Sequence, residues 1–141
     1  MKIRLYYDNI KFRVKGAKRI KEFLEKVIRD KNKIPGDLIF IFTNDIRIRE
    51  INKEFLNHDY FTDVISFDYC CGRTLNGEIY ISIDTLRDNS KIYKVKTSEE
   101  VLRIMLHGTL HLLGYVDSNE SDRSIMMAEQ EKRVIEFVKG K

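Results

Sequence analysis

Cysteine is scarce in this 141-residue chain, and what there is comes as one adjacent pair, Cys70 and Cys71. Neighbouring cysteines rarely bridge, because a disulfide needs its Cα atoms farther apart than one peptide bond places them. No spacing resembles a Cys-x-x-Cys zinc or redox site. A reducing compartment fits best. Long apolar runs are missing as well. No stretch approaches the roughly 18 consecutive apolar residues of a membrane helix. The first residues, MKIRLYYDNIKFRVKG, alternate charged and apolar side chains and contain no uninterrupted apolar stretch like that of a signal peptide. Repeats, linkers and low-complexity segments are also absent. The expectation is a cytoplasmic protein with no membrane partner.

What is there suits one folded unit. The chain is 43% hydrophobic and 34% charged, enough apolar material for a core without disulfides. Its length predicts a single domain over residues 1–141. The formal net charge is +4. That bias could attract a polyanion such as RNA, but charge alone favours an ordinary basic, soluble protein.

Residues 2–7 read as a short strand. From Ala17 the pattern turns helical: Ala17, Ile20, Phe23, Leu24, Val27 and Ile28 form one apolar stripe. Pro35-Gly36 breaks the chain, and Leu38–Phe42 is a continuous apolar run, as in a strand buried on both faces. Thr43 and Asn44 can cap a helix whose inward stripe is Ile48, Ile51 and Phe55. Residues 62–68 read as a strand. Glu78–Asp84 reads as another, with Ile79, Ile81 and Ile83 on one face. Thr97–Glu100 has capping-box character and starts a helix that stops at Gly114. A last helix follows Ser118 or Asn119. The fold class is α+β, a mixed sheet of about four strands packed with about five helices.

The segment with most chemistry is His107-Gly-Thr-Leu-His111-Leu-Leu-Gly114-Tyr-Val-Asp117. Two histidines four apart on a helix point to one side, one turn apart, as two ligands of one ion require. A histidine pair alone is weak evidence, because helices carry such pairs for other reasons. Here the pair lies opposite the centre of the apolar arc, beside Glu100 and Arg103. Gly114 lets the chain double back so that Asp117 can return to the same point. The spacing is related to that of the metzincin ligands. Two imidazoles and one carboxylate leave a fourth position open on a tetrahedral ion, and zinc is the expected metal, one per chain. The familiar zinc-protease motif has a glutamate base after the first histidine. This chain has Gly108, which cannot move a proton.

HGTLHLLGYVD resembles the signature of the YbeY family, the bacterial rRNA maturation factors and single-strand-specific endoribonucleases. Two more blocks match in order and spacing. One runs from Ile51-Asn52 to Thr62-Asp63-Val64-Ile65-Ser66-Phe67, and the other is Gly77–Ser82. The likeness covers residues 51–117 with motifs, and the N-terminal third in its pattern of elements. It implies a zincin-like site and a zinc-dependent RNA hydrolase acting in 16S rRNA 3′-end maturation and ribosome quality control. The implied partners are single-stranded RNA, the small ribosomal subunit and its assembly proteins, not DNA.

Two positions depart from the pattern. The family usually carries a third histidine where this chain has Asp117, and an arginine where it has Leu56. His58 is a candidate donor or proton carrier in compensation, and equally an ordinary surface histidine in a turn. Thr62-Asp63 could orient a ligand near the metal, or fix the turn before a strand. The Lys and Arg cluster at 11–33 could follow an RNA backbone or form a solvated helix face. Two other functions stay open: a zinc-braced ribosome-assembly factor with little catalysis, and a metalloprotease, which Gly108 argues against.

Overall fold

The computed structural model describes residues 2–55 and 64–140. In chain order the elements are β1 (Lys2–Tyr7), α1 (Ala17–Asp30), β2 (Ile34–Thr43), α2 (Asp45–Phe55), β3 (Val64–Asp68), β4 (Thr74–Ser82), α3 (Ile83–Ile92), α4 (Thr97–Leu112) and α5 (Glu120–Lys139). The expected α+β fold is present, with four strands and five helices among the described residues. The sheet order is β1-β2-β4-β3. β1, β2 and β4 run parallel, and β3 lies antiparallel against β4 as a hairpin.

Alternation along the strands decides which face is filled. Leu38, Phe40 and Phe42 of β2 and Leu75, Ile79 and Ile81 of β4 are buried on one face with the apolar stripes of α1 and α4. The opposite face carries α2, whose Ile48 and Ile51 pack on Ile65. That helix covers only part of the sheet. Ile39 and Ile41 are therefore half-buried, and β2 is not the strand buried equally on both faces that its apolar run suggests. No helix among the described residues is long and apolar enough to cross a membrane.

The strand expected over Glu78–Asp84 ends at Ser82. The Ser82 hydroxyl accepts the Thr85 N–H at 3.2 Å and so caps α3, an element that the alternating pattern conceals. Ile83 stays buried, but as the first residue of a helix. Asn44 caps α2 through the Arg47 N–H at 2.8 Å, while Thr43 bonds Asp8. The capping box at Thr97 does not form. Lys96 holds the cap position without a side-chain bond, and Glu99 and Glu100 pair with Arg103 in the first turn. Part of the cationic cluster at 11–33 docks α5: Lys26 meets Glu136, Lys31 meets Glu129, and Arg19 stacks on Phe137.

Candidate metal centre

α4 is the central helix of the molecule, buried between the sheet, α3 and α5. Two glycines allow it to lie so close. A Cβ on Gly108 would stand 2.7 Å from Ile79 Cγ2, and one on Gly77 would stand 2.7 Å from Leu112 Cδ1. The helix therefore settles onto β4 at Gly108, which leaves His107 and His111 on a half-buried flank beside α5.

The helix stops as its sequence suggests. Gly114 adopts φ 104°. Its N–H reaches the His111 carbonyl at 3.1 Å, and the Tyr115 N–H reaches the Leu110 carbonyl at 3.0 Å. These two bonds are a Schellman motif, which closes the open carbonyls of the last turn and reverses the chain. Asn119 then caps α5 by accepting the Asp122 N–H at 2.8 Å. Between the two caps, Asp117 turns back over the end of α4.

One ligand atom from each of His107, His111 and Asp117 lies within 4.8 Å of the other two. His107 Nε2 and His111 Nε2 are 3.2 Å apart, and His111 Nε2 is 3.6 Å from Asp117 Oδ2. A tetrahedral ion with bonds of about 2.0–2.1 Å holds its ligand atoms about 3.3 Å apart. The Asp117 side chain is 45% exposed, so the cluster faces solvent on that side and leaves room for a further ligand.

The hydrogen bonds behind the rings settle which nitrogens carry protons. His111 Nδ1 is 3.2 Å from the Tyr115 carbonyl, which can only accept. His107 Nδ1 is 2.7 Å from Gln130 Oε1. The Gln130 amide is itself oriented, because its Nε2 donates to Glu131 Oε2 at 3.1 Å. Both Nδ1 atoms therefore donate, and in the neutral rings both Nε2 lone pairs face each other. Two lone pairs at 3.2 Å repel until a proton or a cation lies before them, so the donor set fits a metal ion.

A network of charges stands behind Gln130. Arg103 donates to Glu131 through Nε and Nη2 at 2.8 and 2.9 Å, to Glu100 at 2.9 Å and to Glu99 at 3.1 Å. The bonds from Arg103 hold the Glu131 carboxyl below its ordinary range, and the same pairing raises the pKa of Arg103.

A family model described as Endoribonuclease YbeY matches residues 6–138. The chain belongs to the YbeY family. Among curated members it is 39% identical over 125 residues to Endoribonuclease YbeY of Flavobacterium psychrophilum, covering 89% of each chain. It is 36% identical over 135 residues to that of Parabacteroides distasonis, covering 96% of this chain and 94% of the relative. A solution structure of a protein from Thermotoga maritima matches with TM-score 0.66 and 28% identity, over 96% of this chain and 89% of that one.

In this YbeY chain the three residues expected around one point do meet there. Leu56, His58, Thr62 and Asp63 lie outside the described residues. Sequence reasoning missed Gln130 and the Tyr115 carbonyl. Gln130 comes to His107 from another helix, and no local spacing signals that contact. Glu100 and Arg103 were legible as neighbours of the histidines on the helix face, but their link through Glu131 was not.

Proposed function

We propose that this chain is a single-strand-specific, zinc-dependent endoribonuclease acting in 16S rRNA 3′-end maturation and late ribosome quality control. His107, His111 and Asp117 are the proposed ligands of one Zn2+ per chain. The observation that carries the reading is the convergence of their donor atoms within 4.8 Å, in a chain that belongs to an endoribonuclease family. Zinc, when bound, supplies Lewis-acid stabilisation for charge building on the reacting oxygens of a phosphodiester.

The residues of the chain do the rest. Gln130 and the Tyr115 carbonyl hold the imidazoles in the tautomer that offers Nε2. Asp117 brings a negative charge that tempers the acidity of the centre relative to three neutral imidazoles. His58 is the proposed proton carrier. The substrate is single-stranded RNA, with the small ribosomal subunit and its assembly proteins as partners. The proposed location is the cytoplasm, in keeping with two exposed free thiols at Cys70 and Cys71.

One departure favours a second reading. Leu56 cannot meet a phosphate electrostatically, as the arginine usual there could, so the chain could serve as a zinc-braced assembly factor that binds RNA without cutting it. A peptidase is disfavoured, since Gly108 stands where a glutamate base would be and its surroundings leave no room for a side chain. The deciding experiment is cleavage of a single-stranded RNA by purified parent and His107→Ala chains, with metal analysis of both. Cleavage and zinc lost together support the nuclease. RNA bound but uncut by the zinc-loaded parent supports the assembly factor.

A further inference from the structure

Beside the metal centre, α3, α4 and α5 enclose a cavity of about 410 Å³ that shares His107 with it. That volume is in the range of small-molecule and nucleotide sites. Its rim is apolar and open to solvent: Tyr93, just past α3, is 67% exposed, and Met127 on α5 is 36% exposed. Its inner wall is acidic. Glu100, Arg103 and Glu131 line it, and the single guanidinium there is shared among three carboxylates, those of Glu99, Glu100 and Glu131. The wall therefore carries an excess of negative charge.

Such a wall repels a phosphate and attracts hydrogen-bond donors. An RNA strand placed with a phosphate at the metal would turn a base, not its backbone, into this cavity. We propose that the cavity holds the nucleobase next to the scissile phosphate, stacked on Tyr93, with an exocyclic amino group directed at the carboxylates of Glu100 and Glu131. Adenine, cytosine and guanine each carry an exocyclic amino group, on C6, C4 and C2 respectively, and uracil carries none, its base-edge donor being N3–H. The site thus selects amino-bearing bases over uracil. This inference rests on the ribonuclease reading for its geometry, since the phosphate at the metal fixes which base reaches the cavity.

The test compares oligocytidylate with oligouridylate of equal length as substrates of the zinc-loaded full chain. The two bases differ at C4, amino against carbonyl, and at N3, an acceptor in cytosine and an N–H in uracil. The expected result is a kcat/KM at least about fivefold higher on oligocytidylate. Tyr93→Ala lowers kcat/KM on both by about tenfold, through lost stacking, with bound zinc unchanged. Equal rates on the two oligomers, or full activity in Tyr93→Ala, overturns the inference. If neither oligomer is cut, it is the ribonuclease reading that has failed. The cavity is then judged by titrating CMP and UMP into the zinc-loaded chain and following the Tyr93 ring by NMR. Shifts at lower CMP than UMP concentration uphold the base site. No shift, or equal ones, ends it.

Discussion

His111 donates from Nδ1 to the carbonyl of Tyr115, four residues on, so the bend that ends α4 also orients a ring within the helix. The Schellman bonds that shape this bend also carry the chain on to Asp117. Helix end, ring orientation and proposed third ligand are thus one local unit. Replacing His111 by Ala removes a proposed ligand and a brace together. The expected outcome is loss of bound metal from a chain that still folds, since the side chain is not part of the apolar core. Elemental analysis of the variant beside its circular dichroism spectrum checks this.

Asp117 is the proposed ligand with the simplest replacement. Asp117→Ala should weaken metal binding by roughly two orders of magnitude or more, while Asp117→His restores a neutral third donor. A competitive titration against a chelator of known affinity reads both. Unchanged affinity in Asp117→Ala would remove the residue from the ligand set.

Gln130 meets His107 at Nδ1, on the side of the ring away from the cluster of donor atoms. Gln130→Ala leaves the ring free to rotate and should lower metal affinity about 10–100-fold, the usual range for such supporting bonds. Gln130→Glu keeps an acceptor for the ring but places a carboxylate beside Glu131, so it should restore affinity while lowering thermal stability. A merely structural role for Gln130 would show the stability loss in both variants without the difference in affinity.

The contrast between these residues explains how much of the site was legible from the sequence. His107, His111, Gly114 and Asp117 fall within one helix and the bend after it, so helical periodicity and one glycine place them without any tertiary contact. Gln130 reaches His107 only because α5 packs against α4, and no spacing along the chain encodes that. In the fold, α3 was concealed because Glu78–Asp84 keeps a period of two up to the residue where a serine hydroxyl turns it into a helix. The outer face of β2 was overfilled because a run of five apolar residues says nothing about how far α2 extends over the sheet.

Gly108 fixes how closely α4 meets the sheet. A methyl group there would press on Ile79 Cγ2 at 2.7 Å and Cδ1 at 3.0 Å. Gly108→Ala should therefore destabilise the fold by about 1–3 kcal/mol, the usual result of overpacking, even though alanine is the better helix former. Ile79→Ala creates a cavity on its own, but combined with Gly108→Ala it should be less harmful than the sum of the two changes. Denaturant melts of the four chains measure that coupling. Strict additivity would mean that the helix moves away and the contact is not a constraint.

A pH dependence follows from the clasp between α1 and α5. Arg133, buried on α5, binds Asp30 at 2.9 Å, Glu129 at 2.9 Å and Glu136 at 3.1 Å, and Lys26 adds bonds to Asp30 and Glu136. Arg133 and then Lys26 hold the Asp30 carboxyl below its ordinary value of 3.8, and Lys26 holds Glu136 below 4.5. At Glu129, burial pushes the pKa up, but the bonds from Arg133 and Lys31 outweigh it and the net shift is downward. Depressed values in the folded state mean that the unfolded chain binds more protons in this range. The clasp is then at full strength above the ordinary carboxylate values and is lost as pH falls through the lower folded ones. The parent should keep its melting temperature from pH 7 down to about 5 and lose it steeply towards pH 3. Arg133→Met should be less stable at pH 7 by about 1–2 kcal/mol, the worth of a charged hydrogen bond to partly exposed partners. Its melting temperature should also fall less between pH 5 and pH 3, because the carboxylates then titrate closer to their unfolded values. Parallel curves for the two chains would show that acid acts elsewhere in the molecule and that the clasp contributes no pH-dependent stability.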